Sequence, residues 1–257
     1  MIPWLAEGSN APFPPLSRAL REPNGLLCAG ADLSVPRLKA AYRSAIFPWF
    51  NEGEPPLWWS PDPRMVLKPD AFHASRRLQR SARAWPWHYS INQRFPDVLR
   101  GCAAARSGID GTWLHNWMFA SYVDFHRAGY AHSIEIYLPS DFAQRKPGTS
   151  AWRDSGEFNL VGGTYGVAMG SVFFAESMFS AARDASKMAL WALSRVLVEA
   201  RCSVIDCQLQ TPHLLGLGAR EIPRSELLAW ISDDPSAGPV INAQGLSELN
   251  LLLHCPS

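Results

Sequence analysis

Two short stretches of this chain bring together residues that could do chemistry. In SVIDCQLQ, Ser203 to Gln210, period-two strand geometry puts Val204, Asp206 and Gln208 on one face and Ile205, Cys207 and Leu209 on the other. Asp206 and Gln208 would then lie about 6.6 Å apart at their α-carbons, close enough for a carboxylate and an amide to act on one substrate group. The same spacing also fits an edge strand whose polar face is wet. Upstream, the single carboxylate Glu176 ends the second of two apolar runs in VGGTYGVAMGSVFFAESMFS, Val161 to Ser180. Lys187 follows in what reads as the first turn of a helix, where a cation opposes the helix dipole, although an exposed lysine of no consequence has the same signature.

These side chains need elements to hold them. Gly170-Ser171 between the apolar runs is a hairpin signal. Ala189, Leu193, Val196, Leu197 and Ala200 then follow at the spacing of one helical face, with Asp184 or Ser186 as N-cap. Nearer the N-terminus, residues 1–33 are rich in Pro and Gly and read as extended segments and turns. Ser34 and Pro36 start a helix whose apolar face is Leu38, Ala41, Tyr42 and Ala45 and which stops at Phe47-Pro48. Trp49, Phe50, Trp58 and Trp59 cluster among prolines just beyond, as a small core or as a stacking surface. SRRLQRSAR, Ser75 to Arg83, puts Arg76, Arg80 and Arg83 on one helical face with Arg77 beside them and no acid nearby, either a solvated face or a phosphate site. A strand over 87–92, helices over 95–105 and 116–128, a strand AHSIEIYL and a short helix over 226–231 complete the pattern. Residues 139–157 read as a polar surface insertion.

Composition narrows the class. At 257 residues, 47% hydrophobic, 18% charged and a net charge of +1, this is an ordinary globular composition in which any polyanion contact must come from a local patch. There is no basic-then-apolar leader and no membrane-spanning run, which points to the cytoplasm. The five cysteines, Cys28, Cys102, Cys202, Cys207 and Cys255, lack metal-ligand spacing and read as reduced thiols, with the Cys207 side chain expected to face away from the site. No Walker loop, GxGxxG, HExxH or GxSxG is present, so an enzyme of this sequence would work without metal or cofactor on a substrate that arrives already activated.

VGGTYGVAMGSVFFAESMFS, DASKMAL, VIDCQLQTPHL and LGAREIPR, with EPNGLLCAGADLS and FPWF upstream, resemble the leucyl/phenylalanyl-tRNA-protein transferase family from about Leu20 to Leu228. The resemblance implies an α+β fold. A small N-terminal domain, residues 1–67, would precede an N-acetyltransferase-like catalytic domain, residues 68–257, with a mixed, mainly antiparallel sheet flanked by helices. It implies transfer of Leu, and of Phe, from aminoacyl-tRNA to the α-amino group of proteins or peptides with N-terminal Arg or Lys, creating a degradation signal, with no DNA and no membrane as partner. Asp206 and Gln208 would orient and deprotonate the amine, whose ordinary pKa near 7.7 to 8.0 makes a weak acceptor sufficient. Phe173, Met178, Leu193 and Ile205 would line the aminoacyl pocket with Glu176, Thr164 and Ala175. Trp49 and Trp113 would contact the terminal adenosine, and Arg76, Arg77, Arg80 and Arg83 the tRNA phosphates. Ala31, Ala45 and Ala175 stand where this family usually has Gly, Thr164 stands where a bulky apolar residue is common, and Leu193 can be aromatic in relatives. Two rival readings are a CoA-dependent N-acyltransferase, which needs a Gly-rich pyrophosphate loop that SAARDAS lacks, and a non-catalytic tRNA-binding module, which has no use for Asp206 and Gln208.

Overall fold

The computed structural model describes residues 2–106, 116–145, 153–154, 156–231, 241–249 and 253. Four short strands, β1 (Trp4–Leu5), β2 (Leu26–Gly30), β3 (Phe47–Pro48) and β4 (Leu57–Trp59), pair in the order β1-β2-β4-β3, with α1 (Val35–Arg43) between β2 and β3. The larger sheet has nine strands: β5 (Arg64–Leu67), β6 (His88–Ile91), β7 (Ala131–Pro139), β8 (Arg153–Asp154), β9 (Phe158–Met169), β10 (Val172–Ser180), β11 (Val204–Gln208), β12 (Arg220–Ile222) and β13 (Gln244–Glu248). Its order is β12-β5-β11-β10-β9-β7-β6-β13, with β8 on β9. Helices α2 (Arg76–Ala84), α3 (Phe95–Arg106), α4 (Asn116–Arg127), α5 (Ser140–Arg145), α6 (Ala185–Glu199), α7 (Pro212–Gly216) and α8 (Arg224–Trp230) connect them. Among the described residues no helix is long and apolar enough to cross a membrane.

This is the mixed, mainly antiparallel α+β arrangement that was expected. Within the large sheet only β10 and β11 pair in parallel among the described strands, and α6 is the crossover between them. The long apolar run of β9 follows from burial on both faces: Tyr165 and Val167 pack with α3 and α4, while Val161 and Ala168 pack with α6. Helix α6 approaches so closely that a Cβ at Gly162 would lie 2.6 Å from the Ala185 methyl, so glycine is required there. Ser75 and Asp184 occupy the N-cap positions of α2 and α6, and Ser75 Oγ accepts from Leu78 N. Of the expected insertion, 139–157, α5 and β8 are seen, and residues 146–152 and 155 lie outside the described residues.

The small sheet and the large one share a core. Leu27, Tyr42 and Trp58 of the N-terminal part sit in one apolar cluster with Tyr165 and Phe174 of β9 and β10, and β5 pairs directly with β11. Sequence periodicity missed the short strands β3, β4, β5, β12 and β13 and the single-turn helix α7. None spans more than five residues, too few to establish a period.

Two alanines flagged above as replacing glycine adopt left-handed backbone, Ala31 at φ 61° and Ala45 at φ 55°. A Cβ is disfavoured there, and the cost is about 1 kcal/mol per residue. The strain at Ala45 is held by use of its carbonyl, which accepts from Ser60 Oγ and from Arg64 Nη1 at 2.9 Å. Ala45→Gly and Ala31→Gly are therefore expected to raise the thermal midpoint by a few degrees together, roughly 2–4 °C per kcal/mol at this size. A lower midpoint in differential scanning calorimetry would show that unfolded-chain entropy and the loss of two buried methyls outweigh the relieved strain.

Candidate active site

Asp206 and Gln208 do not act side by side. The Asp206 carboxylate is fully buried and clamped by Arg64 of β5, Nε to Oδ1 at 3.1 Å and Nη2 to Oδ2 at 2.5 Å. It also accepts Gln208 N at 2.9 Å. The register between β11 and β5 slips between Asp206 and Gln208, and Gln208 sits at φ 65°, so the alternation that put both side chains on one face is broken. Gln208 Nε2 instead donates to Glu176 Oε1 at 3.1 Å.

Glu176 is itself the extra residue of a bulge, since β9 and β10 slip register between Ala175 and Ser177. Its carboxylate also accepts from Tyr42 Oη at 2.8 Å and Tyr122 Oη at 3.2 Å, and the two hydroxyls lie 2.6 Å apart. Burial pushes the Glu176 carboxyl up to about 7; the tyrosine hydrogen bonds oppose this, Asp206 adds to it and Arg64 subtracts. Burial first, and then Glu176, raise Tyr42 and Tyr122 well above the ordinary phenol range, so both remain protonated donors. The outcome is a desolvated carboxylate poised near neutrality, a state suited to proton transfer.

Glu176 and Gln208 open onto a pocket of about 380 Å³ whose wall includes Trp49, Thr164, Ala175, Met178, Leu190 and Leu214. Four residues expected in or near the wall are there: Thr164, Ala175, Glu176 and Met178. Thr164 Oγ1 is used internally, donating to Ser177 O at 3.0 Å. Phe173, Leu193 and Ile205 are not in the wall; they are buried in the core around α6. One rule corrects all three. The pocket lies at the C-terminal ends of the parallel strands β10 and β11, where α/β crossovers place ligands. The wall therefore uses Ala175 and Cys207, each one pleat beyond Phe173 and Ile205, and Leu190, one turn nearer the start of α6 than Leu193. Cys207, expected to face away from the site, is instead in the pocket wall. Burial pushes its thiol up, out of the reactive range.

Trp49 is 43% exposed in the pocket wall, tilted 55° against Trp59, whereas Trp58 is fully buried and donates Nε1 to Gly30 O. The tryptophan cluster is thus core at Trp58 and available surface at Trp49. Trp113 lies outside the described residues. Arg76, Arg77, Arg80 and Arg83 are exposed on α2 with no acidic partner among the described residues. Lys187 is offset by Asp184 Oδ1 at 3.4 Å, and with burial its charge holds His213, in the pocket wall, below the usual imidazole range. Sequence reading missed Arg64, Tyr42 and Tyr122 as site residues. The available signals were an arginine heading the apolar run Met65 to Leu67 and tyrosines, each with one polar tip, on apolar helix faces.

An apolar pocket floored by a near-neutral carboxylate, with an exposed indole at its wall and a cationic helix on the same protein, suits transfer of an apolar acyl group, and the relatives of this chain give the class, an aminoacyltransferase. Residues 66–145 and 147–232 match the family described as leucyl/phenylalanyl-tRNA protein transferase, and residues 31–62 match that family's N-terminal domain. Over 239 residues the chain is 48% identical to the leucyl/phenylalanyl-tRNA–protein transferase of Pseudomonas fluorescens (strain Pf0-1), covering 92% of this chain and 97% of that one. It is 50% identical over 226 residues to the protein of the same name from Nitrosospira multiformis, covering 88% and 89%, and 45% identical over 234 residues to that of Chromobacterium violaceum, covering 91% and 92%. The chain belongs to the leucyl/phenylalanyl-tRNA protein transferase family.

Removing Asp206 alone leaves the Arg64 guanidinium buried without a counter-charge. Asp206→Ala is expected to lose about 3–5 kcal/mol of stability in urea unfolding. The volume-filling pair Arg64→Met with Asp206→Leu should recover most of that stability without recovering transfer, because Gln208 N has lost its anchor. Wild-type stability in Asp206→Ala would overturn the ion pair as the support of the site.

Proposed function

We propose that this protein moves Leu, and Phe, from aminoacyl-tRNA to the α-amino group of a protein whose N-terminal residue is Arg or Lys, making a degradation signal in the cytoplasm. The observation that carries the reading is Glu176, a carboxylate titrating near neutrality at the floor of an apolar pocket, held by Tyr42, Tyr122 and Gln208. Support for the Arg or Lys acceptor is family membership.

In this reading the aminoacyl side chain occupies the wall formed by Ala175, Met178, Leu190 and Leu214, and the terminal adenosine packs on Trp49, with Trp113 as a second aromatic. The acceptor amine attacks the ester carbonyl and its proton passes to Glu176. Collapse of the tetrahedral centre forms the new amide and expels the ribose hydroxyl, which takes the proton. The ester supplies the driving force, so neither ATP nor a cofactor enters. Gln208 spends Nε2 on Glu176 and keeps its amide oxygen to orient the amine. Asp206 and Arg64 position Gln208 and do not touch substrate. The β10–α6–β11 unit belongs to an N-acetyltransferase-like domain from residue 68 onward, behind a small domain of residues 1–67 that reaches β11 through β5. Incubation with leucyl-tRNA and a peptide starting with Arg should give leucylated peptide, while acetyl-CoA in parallel should give nothing; acetylation without leucylation would replace this reading by the CoA-dependent one.

Because Glu176 must be ionised to accept the proton, kcat/KM should fall as pH drops below about 7, in addition to the limb from the amine itself. Glu176→Gln should lower the rate by about 10²- to 10⁴-fold and leave only the amine limb. A profile whose lower limb is unchanged in that variant removes Glu176 as the base.

Ala175 adds a methyl to the wall where the family resemblance implies Gly, opposite Gly166 of β9. A methylene-sized change in an apolar pocket discriminates by about 1–3 kcal/mol. Ala175→Gly should raise kcat/KM for phenylalanyl-tRNA relative to leucyl-tRNA with little effect on leucyl transfer. A constant ratio would mean that this methyl does not limit the pocket.

A further inference from the structure

A second cleft lies between α2 and the turn that enters α6, lined by Arg77, Arg80, Ser81, Ala84 and Trp85 on one side and by Arg183 and Asp184 on the other. The stripe of α2 that faces it is therefore Arg77, Arg80, Ser81 and Ala84, the i, i+3, i+4, i+7 side of the helix and not the Arg76, Arg80 and Arg83 face singled out from spacing. Ser81 and Ala84 are small and leave room between the guanidiniums. Trp85 is fixed at the end of the cleft by stacking on Trp87 and by edge contact with Phe142.

The charges in this cleft are not balanced. Three guanidiniums face one carboxylate, Asp184, and that carboxylate is shared: Lys187 Nζ is 3.4 Å away and Arg183 Nε 3.8 Å. Arg183 is 61% exposed and meets Asp184 only at 3.8 Å, so turning it toward a ligand costs little. Like charges gathered along one cleft wall repel, and an anion between them relieves the repulsion while matching the fork geometry of guanidinium. Leu190, in the wall of the aminoacyl pocket, is six residues along α6 from Asp184, about 9 Å at 1.5 Å per residue. An anion in the cleft would thus be close to the acylated end of the RNA.

We infer that this cleft binds a backbone phosphate of the RNA leading to the aminoacyl ester, with Arg183 of the turn into α6 completing a clamp begun by Arg77 and Arg80 of α2. The inference rests on the reading of α2 as the tRNA-phosphate helix and adds a residue from a separate part of the chain. It makes Arg183 a positioning residue for the substrate's acceptor end.

The test measures binding of leucyl-tRNA to the full-length protein, without acceptor peptide, over a range of salt concentrations. Arg183→Ala should reduce the slope of log affinity against log salt by about 0.7–0.9, the value of one lost phosphate contact, and Arg183→Lys should restore it. Arg77→Ala should act alike, and the Arg77→Ala, Arg183→Ala double variant should lose less than the sum if both hold one phosphate. Arg127→Ala, on an exposed ion pair of α4, should keep the wild-type slope. An unchanged slope in Arg183→Ala, at unchanged thermal midpoint, overturns the clamp while leaving the α2 reading intact. If the joint Arg76, Arg77, Arg80 and Arg83 to Ala variant also keeps the wild-type slope, the α2 reading itself fails.

Discussion

The buried ion pair between Arg64 and Asp206 is the interaction on which the rest of this structure depends. It joins residues 142 positions apart with no exposure on either side chain. Arg64 also donates to Ala45 O and lies 5.1 Å from the centre of the Phe47 ring, so one guanidinium ties the end of α1, strand β3, strand β5 and strand β11 together. Desolvating two charges is costly, and Coulomb attraction offsets that only when the remaining hydrogen-bonding capacity is filled. Here it is filled: Asp206 takes two donors from Arg64 and one from the backbone of Gln208. A hydrophobic pair could hold the strands as well, but it could not fix Gln208.

Electrostatic consequences reach Glu176 through the same pair. Burial raises the Glu176 carboxyl most, the tyrosine hydroxyls oppose it, and the pair adds two smaller effects of opposite sign, Asp206 raising and Arg64 lowering. The two hydroxyls stay protonated because they too are buried beside a carboxylate. A carboxylate that would ordinarily be fully ionised at neutral pH is thereby brought close to the pKa of an α-amino group, where proton transfer needs little driving force.

Placement of the pocket follows from the one parallel pairing among the described strands of the large sheet. Strands β10 and β11 run the same way with α6 between them, so their C-terminal ends and the N-terminal half of α6 converge on one opening. Bulges at Glu176 and at Cys207 then let the side chains of Glu176 and Gln208 meet at those ends. Without the bulges the alternation would continue, and Glu176 and Gln208 would have no reason to meet.

What the sequence by itself determined is whatever depends on neighbours in the chain: the Gly170-Ser171 hairpin, the helix starts at Ser34 and Asp184, the apolar face of α6, and the motifs that mark the family. Glu176, Gln208 and Trp49, which the structure brings to one pocket, could be singled out for the same reason, since each stands in a short motif. Tertiary structure alone decided that Asp206 faces Arg64, that Tyr42 and Tyr122 converge on Glu176, and that the wall runs through Ala175, Cys207 and Leu190 and not through Phe173, Ile205 and Leu193. A bulge has no period of its own, because it exists only against a partner strand, and period-two reading continues straight through it. Likewise an arginine that will neutralise an aspartate 142 residues away looks, in the sequence, like any arginine at the head of a strand.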